Sequence, residues 1–395
     1  MQRSLTFLLL LYAFLIGGCA QQSTRVYAPV ETRTPAHAAP NIYEKQPAQS
    51  ETTPILMPTA PAPTSIQAGA KIALLLPLKS QSFGRAADVV RQGFMIAANV
   101  DNPGNGLTTK VYSTGERLEE IMAAYQQAVQ DGANVVVGPL TRNAVSAFAA
   151  SNQISVPTLA LNVPESAESV PHNLYFFGLS IESEARQIAR MAYNDGRRSA
   201  LLVSSASPLT KRAQQAFTDE WRRRGGEIMG QITLPKAQEN YPSLRDASTK
   251  PNADMIFLAV EADKARLVRP YLDNTLATYA TSQIYGNKQD AYKNVDLQDV
   301  RFIDMPWLLQ PDHPAVMVYP HAEAPANIEL DRLYALGIDA FRLGVALLNP
   351  TLRDGFILDG VTGKISLRDG YLMERELTPA PFQQTDIVIL ESAKQ

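Results

Sequence analysis

The residues best suited to bind a small polar ligand follow a buried strand and a tight turn. The apolar run Val135–Val137 is followed by Gly138 and Pro139, and Thr141 then stands where a helix N-cap belongs. Backbone N–H groups at such a helix start, together with the Thr141 hydroxyl, could hold a carboxylate. Capping its own helix is the alternative role for Thr141. The turn therefore predicts a crevice at the carboxyl end of a strand.

Other candidate residues follow other predicted strands. In a parallel sheet the carboxyl ends of the strands face one crevice, so side chains just after them are expected to lie close together. Glu261 could pair there with an ammonium group, or could simply favour the start of its own helix. The candidate residues for a cleft are Ser80, Ser82, Phe83, Leu140, Thr141, Arg142 and Asn162 from the first half, and Ser205, Thr210, Glu261 and Tyr285 from the second half.

No pattern in the chain predicts catalysis, a metal site or a cofactor. There is no nucleophile elbow, phosphate-binding loop or zinc-protease motif, and the single Cys excludes a paired-thiolate site. The four His residues lie in the predicted linker or in loops. The arginine run 222–224 stands at a predicted helix end, where cations are favourable. With a net charge of −3, the chain is not expected to bind nucleic acid.

The elements that must position the candidate residues alternate between apolar strands and amphipathic helices. The alternation starts at Lys71 and restarts near Ile181, which predicts an α/β fold with two lobes, each a doubly wound parallel sheet. A helix is expected over 261–276, a long amphipathic helix over 328–348 and a glycine-rich hairpin over 360–375. We expect lobe 1 to comprise residues 71–176 and 304–350, and lobe 2 to comprise residues 177–303 and 351–395.

The N-terminal residues predict export and lipid attachment. Arg3 precedes an apolar segment too short to span a bilayer, which is typical of a signal peptide over residues 1–18. Cys19, the only Cys, then stands at the position that bacterial lipoproteins acylate, for example with palmitate; an incidental Cys in a soluble protein's signal is the alternative. Residues 19–70 are rich in Pro and lack Trp and Phe, which predicts a disordered tether. By similarity to Gram-negative lipoprotein sorting, Ala20 favours the outer membrane, with the protein facing the periplasm.

Several segments resemble known families. Those similar to the type I periplasmic binding protein superfamily, of the branched-chain amino-acid receptor type, are 71–78, 138–140, 173–177, 334–340 and 360–375. Within that superfamily, the segments 75–78, 91–94, 177–179 and 182–189 look most like the LppC/LpoA family. This resemblance implies an outer-membrane lipoprotein that activates a bifunctional penicillin-binding protein. Relatives from enteric bacteria carry a helical-repeat domain in the place of the Pro-rich linker.

Two hypotheses about function follow. The first is a non-enzymatic outer-membrane lipoprotein that regulates a peptidoglycan synthase, a penicillin-binding protein, by protein contact across the periplasm. The alternative is a solute-binding lipoprotein of an ABC importer for amino acids or similar small polar ligands. The alternative predicts a small-molecule ligand between the lobes and hinge closure when it binds.

Overall fold

The computed structural model describes residues 69–383, apart from 103, 105, 167–169, 287, 322–326, 350–351 and 353–354, together with 386–387. The predicted signal peptide, Cys19 and the tether up to residue 68 lie outside the described residues. The described residues all belong to one compact unit. No helix among the described residues is long and apolar enough to cross a membrane.

Strands and helices alternate along most of the chain. The strands are β1 (Lys71–Leu76), β2 (Thr108–Ser113), β3 (Val135–Val137), β4 (Thr158–Ala160), β5 (Leu174–Phe176), β6 (Ser199–Ser204), β7 (Glu227–Thr233), β8 (Met255–Ala259), β9 (Ala277–Ala280), β10 (Arg301–Asp304), β11 (Ile357–Gly360), β12 (Gly363–Arg368), β13 (Leu372–Glu376), β14 (Thr378–Gln383) and β15 (Asp386–Ile387). The helices are α1 (Gly84–Asp101), α2 (Leu118–Gln130), α3 (Arg142–Ala149), α4 (Ile181–Asn194), α5 (Pro208–Arg223), α6 (Ser243–Thr249), α7 (Ala262–Val268), α8 (Pro306–Leu309), α9 (Pro314–Met317) and α10 (Ile328–Ala346).

The strands form two sheets. The first has the order β11-β12-β13-β5-β4-β3-β1-β2, and the second has the order β15-β14-β10-β9-β8-β6-β7. Strands β1–β5 pair in parallel, as do β6–β10. Strands β1, β3, β6 and β8 are buried along nearly their whole length, which explains their unbroken apolar runs. The predicted α/β fold with two parallel-dominated sheets is confirmed.

The C-terminal hairpin joins the first sheet. The expectation that all of residues 351–395 belong to lobe 2 is therefore wrong for strands β11–β13. Strands β11, β12 and β13 pair antiparallel, and Leu372 of β13 pairs in parallel with Phe176 of β5. Only β14 and β15 belong to the second sheet, where β14 pairs antiparallel with β10. The pairing makes the physical reason clear: β13 extends the edge of the first sheet at β5, and the chain changes sheet only at Leu377.

Helices α1 and α10 pack closely on the first sheet. A Cβ atom at Gly337 of α10 would lie 2.1 Å from the carbonyl oxygen of Val90 in α1, so the two backbones approach at a distance that only glycine permits. The rings of Phe94 and Phe341 meet edge to face, with centroids 5.3 Å apart. This contact fixes α10 to the first lobe, from which its side chains reach the second.

Candidate functional site

A pocket of about 450 Å³ lies between the two lobes. On one side it is lined by the loops that follow β3 and β4 and by the start of α1. On the other side it is lined by the connection into α4 and by the first turns of α5. Predicted residues that line it are Phe83, Leu140, Thr141, Arg142 and Asn162. All five come from the first half of the chain, and the adjacency of β3 and β4 in the sheet brings most of them together.

The turn after β3 places Thr141 at the pocket. Gly138 has a φ of +118°, and a Cβ atom there would lie 2.0 Å from the carbonyl oxygen of Leu75, so this turn requires glycine. Thr141 is the N-cap residue of α3, as predicted. Among the described contacts, however, its side chain makes no capping hydrogen bond to the helix. The Asn162 amide donates to the carbonyl oxygen of Leu140 at 3.1 Å and ties the two pocket loops together.

Three charged side chains meet at the pocket. Glu182, in the first turn of α4, accepts a hydrogen bond at Oε1 from Nη1 of Arg142 at 3.1 Å. Nε of Arg212, in α5, lies 3.4 Å from the same oxygen. The second carboxylate oxygen, Oε2, accepts from the Ser180 hydroxyl at 3.0 Å. Arg142 belongs to the first lobe and Arg212 to a helix of the second, so the carboxylate of Glu182 bridges the lobes.

The surroundings of Glu182 favour its ionised form. Burial raises the pKa of its carboxyl, since its side chain is only 17% exposed. The backbone N–H of Glu182 at the start of α4, the charges of Arg212 and Arg142 and the Ser180 hydroxyl together outweigh burial, so the pKa is lower than usual. Glu182 is therefore a carboxylate at neutral pH, held by two guanidinium groups.

The remaining first-half candidates lie near the pocket without lining it. The Ser80 hydroxyl donates to the carboxylate of Glu116, which does line the pocket, and accepts from the N–H of Phe83 at 2.8 Å. Ser80 is buried, and it fixes the turn before α1. Ser82 is exposed in that turn. Of the two, Ser80 supports the loop that presents Phe83.

The second-half candidates are not brought to this pocket. Ser205 and Thr210 are buried, with their hydroxyls 3.2 Å apart, because the loop after β6 folds back onto the start of α5. Glu261 is the N-cap residue of α7 and pairs with Lys264 at 3.6 Å. Tyr285 is buried, with its ring packed against that of Phe302 at 5.5 Å. Each of these residues supports the structure of its own loop.

Two charged residues on the second-lobe side of the pocket were not predicted from the sequence. Glu182 and Arg212 lie on the first turns of helices α4 and α5, not in loops at strand ends. Leu209, which also lines the pocket, lies between the predicted residues Ser205 and Thr210. Ser180 caps α4 by accepting from the N–H of Ser183 at 3.2 Å, which places Glu182 in the first turn. The capping serine followed by an acidic residue was a readable signal for the helix start, but not for a cleft.

Buried ionic contacts join the lobes beside the pocket. Nη2 of Arg332, in α10, lies 2.6 Å from Oδ2 of Asp304 in β10, and the same nitrogen donates to the carbonyl oxygen of Ser282 at 3.0 Å. The two charged side chains are 3% and 1% exposed. Burial lowers the pKa of Arg332, but the charge of Asp304 more than offsets this, so its pKa is raised. Arg332 therefore links the first-lobe helix α10 to the second sheet as a permanent cation.

Glu184 of α4 continues this network. Its Oε2 accepts from the Ser282 hydroxyl at 2.7 Å, and its Oε1 lies 3.7 Å from Nη2 of Arg375 in β13. Burial raises the pKa of Glu184, and the charge of Arg375 opposes this shift. Nε of Arg375 donates to the carbonyl oxygen of Gly178, in the connection between the lobes, at 3.1 Å. The segments that pass between the lobes are thus bound to one another by charged groups inside the protein.

The described residues contain no group of three or more His, Cys, Asp or Glu side chains arranged to hold a metal ion. At the pocket, Arg142 and Arg212 are paired with Glu182, and Glu116 accepts a hydrogen bond from the Ser80 hydroxyl. The geometry suits binding or rigid positioning.

Comparison with known proteins places this architecture. The family model described as LppC putative lipoprotein matches residues 47–234 and 243–385. The penicillin-binding protein activator LpoA of Edwardsiella piscicida is 30% identical over 340 residues, covering 75% of this chain and 48% of that protein. The protein of the same name from Pantoea ananatis is 29% identical, covering 72% of this chain and 48% of that protein. The chain thus spans about half the length of these curated relatives.

Solved structures share the same fold. A Chromobacterium violaceum protein described as a putative branched-chain amino acid ABC transporter is 38% identical, with a TM-score of 0.67, covering 79% of this chain and 99% of that one. The C-domain of LpoA from Haemophilus influenzae, described as a regulator of PBP1A, is 24% identical, with a TM-score of 0.67, covering 81% of this chain and 100% of that domain. At 24% identity the second likeness concerns the fold alone.

Proposed function

Because the chain belongs to the LppC family of putative lipoproteins, we propose that it is a lipid-anchored protein that activates a peptidoglycan synthase by direct contact. The synthase would be a penicillin-binding protein of the same cell. The observation that carries the proposal is the family match over residues 47–385, interrupted only at 235–242. It is supported by the similarity to relatives named as penicillin-binding protein activators. No enzymatic role is needed for this function.

The geometry of the cleft supports a contact role. Glu182 engages both arginines at the pocket, so the charged groups best suited to bind an external anion already have a partner. The buried contacts of Arg332 and Glu184 hold the connections between the lobes. A protein built this way presents a fixed outer surface, which suits docking onto another protein.

Reconstitution with the synthase tests the proposal. The full-length lipoprotein is added in detergent to the purified penicillin-binding protein, and glycan polymerisation from lipid-linked precursor is followed with time. We expect co-purification of the two proteins and a faster polymerisation rate. Heat-denatured lipoprotein is the control. Absence of both binding and rate change would contradict the proposal.

We further propose that Cys19 carries the lipid and that the outer membrane is the destination. Two acyl chains or more give stable anchoring, since each buried methylene contributes ~0.8 kcal/mol. Cys19→Ser is expected to abolish incorporation of labelled palmitate. Ala20→Asp is the matched control: it should keep the label and move the protein to the inner membrane. Equal labelling of wild type and Cys19→Ser would refute lipidation at this residue.

A solute receptor of an importer is the second candidate function. It is favoured by the pocket of about 450 Å³ and by the 38% identity to the Chromobacterium violaceum protein. A panel of amino acids in a thermal-shift assay tests it, because a ligand at a hundred times its Kd adds ~2.7 kcal/mol of stability. A saturable shift with wild-type protein would support this function, and its absence across the panel would count against it.

A further inference from the structure

Glu182 occupies a position that the surrounding residues make suitable for any carboxylate. Nη1 of Arg142 and Nε of Arg212 converge on one oxygen, at 3.1 and 3.4 Å. The two arginines come from helices of different lobes, and Arg142 is the first residue of α3, whose N-terminal N–H groups add partial positive charge. Two guanidinium groups that converge on one oxygen form an anion site.

Among the described residues, Glu182 is the carboxylate that the two arginines contact. Ser180 donates to the second oxygen of Glu182. Glu116, the other carboxylate lining the pocket, is bound by the Ser80 hydroxyl. The rest of the lining near Glu182 is largely apolar, including Leu140 and Leu209. Without the carboxylate of Glu182, the two arginines would be left beside an apolar wall with no anion at hydrogen-bond distance among the described residues.

We propose that Glu182 is an internal ligand of the cleft: its carboxylate fills a carboxylate-binding site formed by Arg142 and Arg212. The site is therefore closed to external anions in the wild-type protein, and removal of the side chain opens it. This inference deepens the proposed contact function, since a cleft that binds its own side chain leaves the outer surface as the working surface. It also explains how a receptor fold can serve a role other than solute capture.

Chemical rescue provides the test. Glu182→Ala removes two carbons and the carboxylate oxygens, which correspond to one acetate ion. The full-length variant in detergent is heated in increasing sodium acetate, with sodium chloride at matched ionic strength as the reference. We expect acetate to raise the Tm of Glu182→Ala saturably, by about 2 °C or more relative to chloride. Wild-type protein and Glu182→Gln, in which the site stays filled, are expected to show no difference between the two salts.

Acetamide separates charge from volume. It has nearly the shape of acetate but no charge, so it should leave the Tm of Glu182→Ala unchanged. Equal effects of acetate and acetamide, or an equal acetate effect on wild type, would overturn the proposal. So would a Glu182→Ala variant that folds and gains nothing from acetate.

A second measurement covers the case in which Glu182→Ala does not fold. A double-mutant cycle combines Glu182→Gln with Arg142→Gln, both of which preserve volume approximately, and measures urea unfolding midpoints. We expect the double variant to lose less than the sum of the single losses. Strict additivity would contradict the pairing. Neither experiment involves the synthase, so failure here leaves the polymerisation result intact, and failure of the polymerisation assay leaves the acetate result intact.

Discussion

Replacing Arg332 with Met tests how strongly the buried ionic contacts hold the lobes together. Nη2 of Arg332, in α10, forms an ion pair with Oδ2 of Asp304, in β10, at 2.6 Å. Methionine fills much of the same space as the arginine stem but donates no hydrogen bond. The carboxylate of Asp304, 1% exposed, would then remain in the interior without a counter-ion. The carbonyl oxygen of Ser282 would also lose a donor.

Burial sets the size of the expected effect. Removing one partner of a buried ion pair costs about 3–5 kcal/mol, because an uncompensated charge remains inside the protein. The pair Arg91–Asp88 has nearly the same geometry, with Nη2 2.7 Å from Oδ1, but its side chains are 35% and 44% exposed. Exposed pairs contribute roughly 0.2–1 kcal/mol. Arg91→Met is therefore the matched control, and the difference between the two variants measures burial and not distance.

Urea unfolding followed by tryptophan fluorescence measures these losses. Trp221 lies in α5 on the second lobe and Trp307 in α8, so the signal samples both sides of the network. We expect Arg332→Met to lose several times as much free energy of unfolding as Arg91→Met. Adding Asp304→Leu to Arg332→Met should recover a substantial part of the loss, because the unpaired charge is then removed. Equal losses in Arg332→Met and Arg91→Met, or no recovery in the double variant, would refute the reasoning.

Three further variants probe other parts of the structure. Gly337→Ala places a Cβ atom 2.1 Å from the carbonyl oxygen of Val90, so it should separate α1 from α10 and cost about 1–3 kcal/mol in urea unfolding; an unchanged midpoint would contradict this contact. The lowered pKa of Glu182 means that its stabilising effect is complete above the unfolded value, about 4.3, and is lost as the pH falls through the lower native value. Glu182→Gln should therefore lose less stability than wild type between pH 6 and pH 3, and parallel curves would exclude this contribution. Burial, followed by the hydrogen bond to Asp195, raises the pKa of Tyr279 to about 12. The stability that the protonated phenol contributes is therefore lost as the pH rises from about 10 through 12. Tyr279→Phe should flatten that loss.

Local structure was predictable wherever the signal lies within one segment. The alternation of strands and helices begins at Lys71 with β1 and restarts at Ile181 with α4, as expected from the apolar pattern. The helix expected over 261–276 was wrong in extent: α7 ends at Val268, a 3₁₀ turn covers Arg269–Tyr271, and the segment before β9 is not helical. Pro270 lacks an N–H and disfavours helix at the preceding residue, which explains the early end.

Long-range placement was harder to predict, both for the fold and for the site. The hairpin β11–β13 was recognisable from its glycines, yet its sheet is decided by a parallel contact between Leu372 and Phe176. The first-lobe half of the pocket followed from the rule that strand ends share one edge, and five candidates do line it. The sequence did not indicate Glu182 as a pocket residue, because its partner Arg142 is 40 residues away in sequence and belongs to the other lobe. No periodicity within α4 indicates which surface faces a neighbouring lobe.

The position of Leu377 has a consequence for the order in which the protein folds. It is the only residue between β13, which belongs to the first sheet, and β14, which belongs to the second. Each sheet therefore takes a strand from the last part of the chain, and β13 must pair with β5 across a long sequence separation. During synthesis the N-terminal residues leave the ribosome first, and contacts between residues distant in sequence form last. Neither lobe can therefore be completed early. We expect the two lobes to reach their native state together, only after the C-terminal strands have emerged.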